Sequence, residues 1–286
     1  MEINVTEKTR DKLLSAEDLR KITVEIRKDI IRMTAAAGSG HPGGSLSAVE
    51  IVTALYFQIM RHDPKNPKWP ERDRFILSKG HASPVLYSAL AHSGYFPIEQ
   101  LTDFRKLGSP LQGHPDMRRL PGLEASTGSL GQGLSIGTGI ALARQIRKKN
   151  YYTFVMMSDG EMDEGQTWEA AAFCSHHKLD HLILIVDKNK FQLSDSTEKI
   201  LNMESLPEKW RSFNWHVQEI DGHDFGAVIQ NLEAAKQVSG KPVVIIAHTI
   251  KGKGISFMEN NNHFHGVAPT KEEAEKALKE LENKNI

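Results

Sequence analysis

The sequence predicts an α/β fold, a mainly parallel sheet flanked by helices. From Tyr152 onward, short apolar runs of strand length alternate with helix-length stretches, the pattern of successive βα units. The run over 243–247 is apolar at every position, as in a strand covered by helices on both faces. The chain of 286 residues is 39% hydrophobic, with no internal repeat, low-complexity tract or recognisable linker, which predicts a single domain over 1–286 with ample core.

The elements follow in order. Ser15 and Asp18 form a capping-box signal, and Leu19, Ile22, Ile26, Ile30 and Met33 share one face of the helix it opens. That helix is expected to stop near Gly38, in the loop AAAGSGHPGGS. A second apolar helix is expected over about 47–60, then the loop HDPKNPKWPERD. RFILS (74–78) reads as a short buried strand with the turn KGHASP after it, and two short helices are expected at about 83–93 and 98–106. The polar segment GSPLQGHPDMRRLPG leads into ASTGSLGQGLSIGTGIALARQIRKK, helical after Gly128. Strands are expected over 152–157, 182–186, 215–220 and 243–247, and helices over about 164–177 and 225–237. The tail PTKEEAEKALKELENK reads as a charged amphipathic helix.

Composition narrows the function. Lys+Arg and Asp+Glu balance at 36 each, which argues against a nucleic-acid partner. The single Cys174 excludes an internal disulfide and fits a reducing compartment. The start, MEINVTEKTRDKLL, has no apolar signal core, and no apolar run approaches the roughly 18 residues of a membrane helix, so a cytoplasmic protein with no membrane partner is expected.

The stretch TFVMMSDGEMDEGQTWEA (153–170) ends an apolar strand in Asp159-Gly160 and adds Glu161, Asp163 and Glu164. Ligands of open α/β sheets bind at the carboxyl ends of strands, where a carboxylate holds a cation that bridges to phosphate. Gly160 lets backbone approach such a ligand, and the helix beyond offers free N–H groups. The alternative is that Asp159 and Glu164 cap that helix and complement its dipole. Thirty residues on, LILIVDKNKFQLSD places Asn189 just past a second apolar strand, one βαβ unit away. Neighbouring parallel strands would bring both side chains to one sheet edge, where hard oxygen ligands suit Mg²⁺ or Ca²⁺.

This Asp-Gly pair and distant Asn resemble the diphosphate-binding motif of thiamine diphosphate enzymes, with Ser158 in place of the first Gly of GDG. The resemblance implies metal ligation by the Asp159 and Asn189 side chains and the Phe191 carbonyl, with Gly160 against the diphosphate. Glu164 matches a residue near the subunit interface, and Glu161 and Asp163 are expected to be solvated or capping.

Four loops carry His beside Gly: SGHPGG (His41), LSKGHASP (His81), LQGHPD (His114) and ENNNHFHGVAP (His263, His265). No HExxH is present and each His-bearing loop stands apart, so zinc is not indicated; proton movement among hydroxyls and a carbonyl suits His better. Together with KGKGISFMENNNHFHG, the loops resemble the transketolase family in order and content over about residues 15–270. The fold implied is the thiamine diphosphate-binding fold of the diphosphate-binding (PP) type. His41, His81 and His114 match residues lining the cofactor and donor-substrate channel, with His81, Gly128, Ser129 and Leu130 on the cofactor. His265-Gly266 matches the end of the last motif, and the role just upstream falls to His263, with Asn262 as the alternative.

The resemblance also implies what this stretch does not contain. The acid that activates the cofactor lies, in the family, in a pyrimidine-binding domain. The expectation is therefore an N-terminal subunit of a split transketolase, completed by a separate C-terminal subunit in an α2β2 assembly and acting on sugar phosphates. The alternatives are a subunit of a 2-oxo acid dehydrogenase or a deoxyxylulose-phosphate synthase relative, or a non-catalytic module of the same fold.

Overall fold

The computed structural model describes residues 14–283, so the charged N-terminal stretch lies outside the described residues. Helix α1 (Ala16–Ala37) opens on the expected capping box: the Asp18 N–H donates to Ser15 Oγ at 3.1 Å and the Ser15 N–H to Asp18 Oδ2 at 3.3 Å. It buries Leu19, Ile22, Ile26, Ile30 and Met33 and is capped by Gly38. The helix expected over 47–60 is divided. Pro42, preset for a first turn, starts α2 (Pro42–Leu46) earlier, α3 (Val49–Ala54) follows, and a π-helical turn covers Leu55–Ile59.

Strand β1 (Arg74–Leu77) leads through a 3₁₀ turn (Gly80–Ala82) into α4 (Ser83–His92). The second short helix is a 3₁₀ segment, Ile98–Asp103, ended by extended Phe104 and by Arg105 at φ 60°. Then come α5 (Gln132–Ile146), β2 (Thr153–Ser158), a 3₁₀ turn (Asp159–Asp163), α6 (Gly165–His176) and β3 (Leu182–Lys188). Two helices not expected from the pattern follow, α7 (Thr197–Ile200) and α8 (Leu206–Ser212). The first is a single turn, and the second carries Pro207 in its first turn and buries Leu206 and Trp210. The chain continues through β4 (His216–Asp221), α9 (Phe225–Ala235), β5 (Val243–His248), a 3₁₀ turn (Asn262–His265) and α10 (Lys271–Asn283).

All five strands are parallel, in the order β1-β2-β3-β5-β4. Successive strand residues face opposite sides, so the apolar runs supply two cores. Phe154, Met156, Ile183 and Ile185 pack with side chains of α1, α3, α4, α9 and α10. Val155, Met157, Leu184 and Val186 pack with those of α5, α6 and α8. Among the described residues, no helix is long and apolar enough to cross a membrane. Because every strand runs the same way, the carboxyl ends of β1, β2, β3 and β5 stand side by side on one edge.

Candidate active site

That edge collects one polar side chain from each of four neighbouring strands. Lys79 follows β1, Asp159 follows β2, Asn189 follows β3, and Lys251 follows β5. The β2–β3 register pairs Ser158 with Asp187, so Asp159 and Asn189 leave neighbouring strands at nearly the same height, as the one-unit spacing predicts.

Asp159 is buried. Its Oδ1 accepts from the Gly160 N–H at 3.1 Å and its Oδ2 from the Lys190 N–H at 2.7 Å. Burial, and then the charge of Asp187, pushes its carboxyl up to about 7. Asn189 is oriented from below. Its Nδ2 donates to Asp187 Oδ2 at 3.0 Å, and its Oδ1 accepts from the Phe191 N–H at 3.2 Å.

Asp187 is the centre of the floor. Lys79 Nζ donates to it and to the Gly44 carbonyl at 2.7 Å, and both partners of this ion pair are fully buried. The hydroxyls of Ser47, at 2.7 Å, and of Thr249 complete its shell. Burial acts to raise the Asp187 carboxyl, but Lys79 and the two hydroxyls outweigh it and hold it below the usual carboxylate range. Sequence reading missed Lys79 and Asp187 although both stand inside the quoted motifs, LSKGHASP and VDKNK. The signal was a charged residue at the end of an apolar strand, a place that demands a counter-ion.

The other acids separate. Glu161 was expected to be solvated or capping. It does cap, in a box with Ser158, but it is fully buried. Its carboxylate accepts from Ser78 Oγ at 2.7 Å, the Gly131 N–H at 3.1 Å and the Ser158 N–H at 3.0 Å, tying together the ends of β1 and β2 and the start of α5. Asp163 accepts from Gln192 Nε2 at 2.6 Å. Glu164 is exposed and stands at the N-cap position of α6, but its side chain makes no capping bond there.

The histidine loops converge. Ring centroids lie 5.2 Å apart for His41–His81, 6.4 Å for His41–His114, 5.8 Å for His41–His265 and 5.4 Å for His81–His265. The expected fourth member, His263, is not among them. It is exposed and stacks edge-on against Phe264, whereas His265, two residues on, turns into the cluster. In the 3₁₀ turn that carries both, neighbours two apart face different sides. Asn262 does reach the site, accepting from Lys251 Nζ at 2.9 Å. Gly128 passes His114 at φ 138°, where an added Cβ would lie 2.8 Å from the ring; Ser129 and Leu130 follow it on the exposed side.

The cluster is uncharged at neutral pH. Burial, with help from Arg105, lowers His41 to about 4, and burial with Lys251 lowers His265 to about 3. Burial also holds His81 well below its ordinary value and lowers His114. Lys251 joins this cluster to the floor. Its Nζ lies 2.6 Å from His265 Nδ1, and burial lowers the ammonium to about 7. Lys251 is a further residue the sequence reading passed over, in IKGKG.

The residues present fit a diphosphate held through a divalent cation. Asp159 is a buried carboxylate beside a second one, with main-chain amides as its hydrogen-bond donors, and Asn189 presents an amide oxygen next to it. Asp159, Asn189 and the Phe191 carbonyl could hold such an ion; among the described residues no group of three or more His, Cys, Asp or Glu is arranged for one, so neutral oxygens must contribute. The desolvated Lys251 ammonium suits an anion, and His41 Nδ1 is buried without a hydrogen-bond partner among the described residues. A cavity of about 630 Å³ beside Asp159 is walled by Lys190, Phe191, Met203 and Glu204.

Comparison with known proteins identifies the family. A family model described as "Transketolase, thiamine diphosphate binding domain" matches residues 20–284. The 6-deoxy-6-sulfo-D-fructose transketolase subunit of Clostridium sp. (strain MSTE9) is 48% identical over 93% of this chain and 96% of its own length. An apulose-4-phosphate transketolase subunit from Phocaeicola vulgatus is 40% identical over 94% of this chain and 95% of its own. The crystal structure of transketolase from Campylobacter jejuni superposes with a TM-score of 0.90 at 34% identity, covering 96% of this chain but 44% of that one. This chain thus spans under half the length of the solved Campylobacter jejuni transketolase and nearly all of the two transketolase subunits. It belongs to the transketolase family and corresponds to that family's thiamine diphosphate binding domain.

Proposed function

We propose that this chain binds thiamine diphosphate and a divalent cation, Mg²⁺ foremost, and works with a separate subunit carrying the pyrimidine-binding domain to move a two-carbon ketol unit from a ketose to an aldose. The observation that carries the proposal is the meeting of four uncharged imidazoles with a charged floor, joined through Lys251. When bound, the cofactor supplies the nucleophilic carbon and the electron sink for cleaving the bond beside a ketone.

The chain's own residues hold, orient and relay. Asp159, Asn189 and the Phe191 carbonyl would take the cation, with Gly160 and Lys251 toward the diphosphate. Gly128, Ser129 and Leu130 would flank the rings. His41, His81, His114 and His265 face the reacting end as neutral imidazoles, the form that accepts a proton from a sugar hydroxyl or donates a hydrogen bond to one. Residues 1–286 would act as one diphosphate-binding domain. Glu164 lies against Gly131, next to the exposed Leu130, and α5 and α6 carry two further exposed apolar side chains, Ile136 and Phe173, which supports a subunit contact on this side and an α2β2 assembly. The buried, free Cys174 supports a reducing, cytoplasmic setting. The names of the two subunit relatives each carry a sugar with a sulfo or phosphate group, so an anion-bearing sugar, a phosphate foremost, is the proposed substrate class.

The test is reconstitution. The purified chain with thiamine diphosphate and Mg²⁺ should show no ketol transfer, and activity should rise in proportion to complex as a pyrimidine-domain subunit is added. Robust turnover by the chain alone would overturn the split reading.

A further inference from the structure

The loop that carries Lys251 is held from behind by a buried charge network that touches neither cation site nor histidine cluster. Arg27 of α1 is fully buried and pairs with Glu50 of α3. The other Glu50 oxygen lies 3.0 Å from His223 Nδ1, in the turn between β4 and α9. His223 Nε2 accepts from the Ile250 N–H at 2.8 Å, and Arg27 Nε donates to the Lys253 carbonyl at 3.1 Å. With Nε2 accepting, the ring proton sits on Nδ1 and points to Glu50, so the carboxylate fixes the tautomer. Lys251 lies between these two anchors, and the Gly252 N–H adds a third, to the Gly43 carbonyl at 3.0 Å. Gly254, at φ 96°, lets the loop lie against the guanidinium; a Cβ there would sit 2.6 Å from Arg27 Nε.

We infer that Arg27, Glu50 and His223 are positioning residues that set where the Lys251 ammonium enters the site. Three elements, α1, α3 and the β4–α9 turn, supply them, and their hydrogen bonds to the loop go to the main chain of Ile250 and Lys253. A packing role would not require a carboxylate that joins both anchors. Without this network the loop keeps its Gly43 contact and the bond from the Asn260 N–H to the Lys251 carbonyl at 2.8 Å but loses its anchors to α1 and the β4–α9 turn on either side of Lys251, and a desolvated ammonium displaced by about 1 Å contributes much less to holding an anion. The inference rests on the reading above that Lys251 faces the diphosphate.

The test is a double-mutant cycle on the full chain assembled with its partner subunit, reading the dissociation constant of thiamine diphosphate in Mg²⁺ by calorimetry. H223A should weaken binding about tenfold. H223Q, whose amide can accept from Ile250 and donate to Glu50, should return to within about threefold of the parent. K251M should weaken binding more than H223A, and adding H223A to K251M should cost almost nothing further. If H223A does not fold, as judged by circular dichroism and melting, E50Q takes its place in the same cycle. Undiminished affinity in the folded H223A or E50Q chain, or the same loss with and without Lys251, overturns the positioning role. K251M with normal affinity overturns instead the reading of Lys251 on which it rests, and no binding by the parent overturns the proposed function itself.

Discussion

The floor and the mouth of this site are built on opposite electrostatic plans. The floor is built of acids and lysines: Lys79, Asp187, Asp159 and Lys251 crowd the carboxyl ends of four strands, and Asp187 alone takes bonds from Lys79, Ser47, Thr249 and Asn189. The mouth, four imidazoles on loops, is uncharged, because burial and nearby cations lower every one of them. Fixed charges preorganised by rigid strands suit a group that must stay in place. Neutral imidazoles suit a region where protons come and go. The division predicts that floor substitutions act on folding and affinity and mouth substitutions on turnover.

The largest effect is expected where the floor is broken from below. K79M leaves Asp187 buried without its cation and should cost roughly 3–5 kcal/mol of stability, seen in urea unfolding; a loss under about 1 kcal/mol would show that the floor is not held by this pair. Next, D159A should leave the melting temperature near that of the parent and weaken Mg²⁺-dependent thiamine diphosphate binding by roughly 10²-fold or more. Unchanged affinity by calorimetry would remove Asp159 from the cation site. At the mouth, H41A, H81A, H114A and H265A should each lower kcat or raise KM for the ketose, by roughly 10²-fold where the side chain transfers a proton. A loss confined to thermal stability would make the residue structural.

The same comparison sets a pH dependence. His41 and His265 are lowered to about 4 and about 3 in the folded chain, against an ordinary 6.5. As pH falls below 6.5 the unfolded chain takes up protons that the folded chain refuses, so stability is lost from about 6.5 down to the folded values and is level above. Replacing both by Asn should flatten the melting temperature between pH 6.5 and 4; an unchanged slope would show that these rings are not held neutral. The smallest effect is expected at His263, exposed and outside the cluster: H263A should keep turnover within about twofold, while H265A does not.

That last contrast shows where the sequence was readable and where it was not. The fold class and the strands were legible because continuous apolar runs of strand length, alternating with helix-length stretches, leave few alternatives, and the Asp159–Asn189 pair because one βαβ unit fixes their separation. Each of His41, His81 and His114 stands next to a Gly in its own loop, and all three meet. The choice between His263 and Asn262 was not legible, because the phase of a one-turn 3₁₀ segment is set by Phe264 packing into the core, which brings Asn262 and His265, three apart, to the site and leaves His263 outside. Lys79, Asp187 and Glu161 were underrated because a charged letter reads as solvated until its partners, 83 to 108 residues away, are seen beside it. Helix α8 escaped because in seven residues the buried Leu206 and Trp210 give one helical interval, too short a pattern to read.

The division between floor and mouth is tested most directly by measuring two quantities on two variants of the assembled enzyme: the thiamine diphosphate dissociation constant and kcat, for D159A and H265A. D159A should lose affinity by roughly 10²-fold or more, and H265A should keep affinity within about threefold while losing kcat by roughly 10²-fold. Equal losses of affinity in the two variants, or normal turnover in H265A, would contradict a charged floor that holds the cofactor beneath a neutral mouth that moves protons.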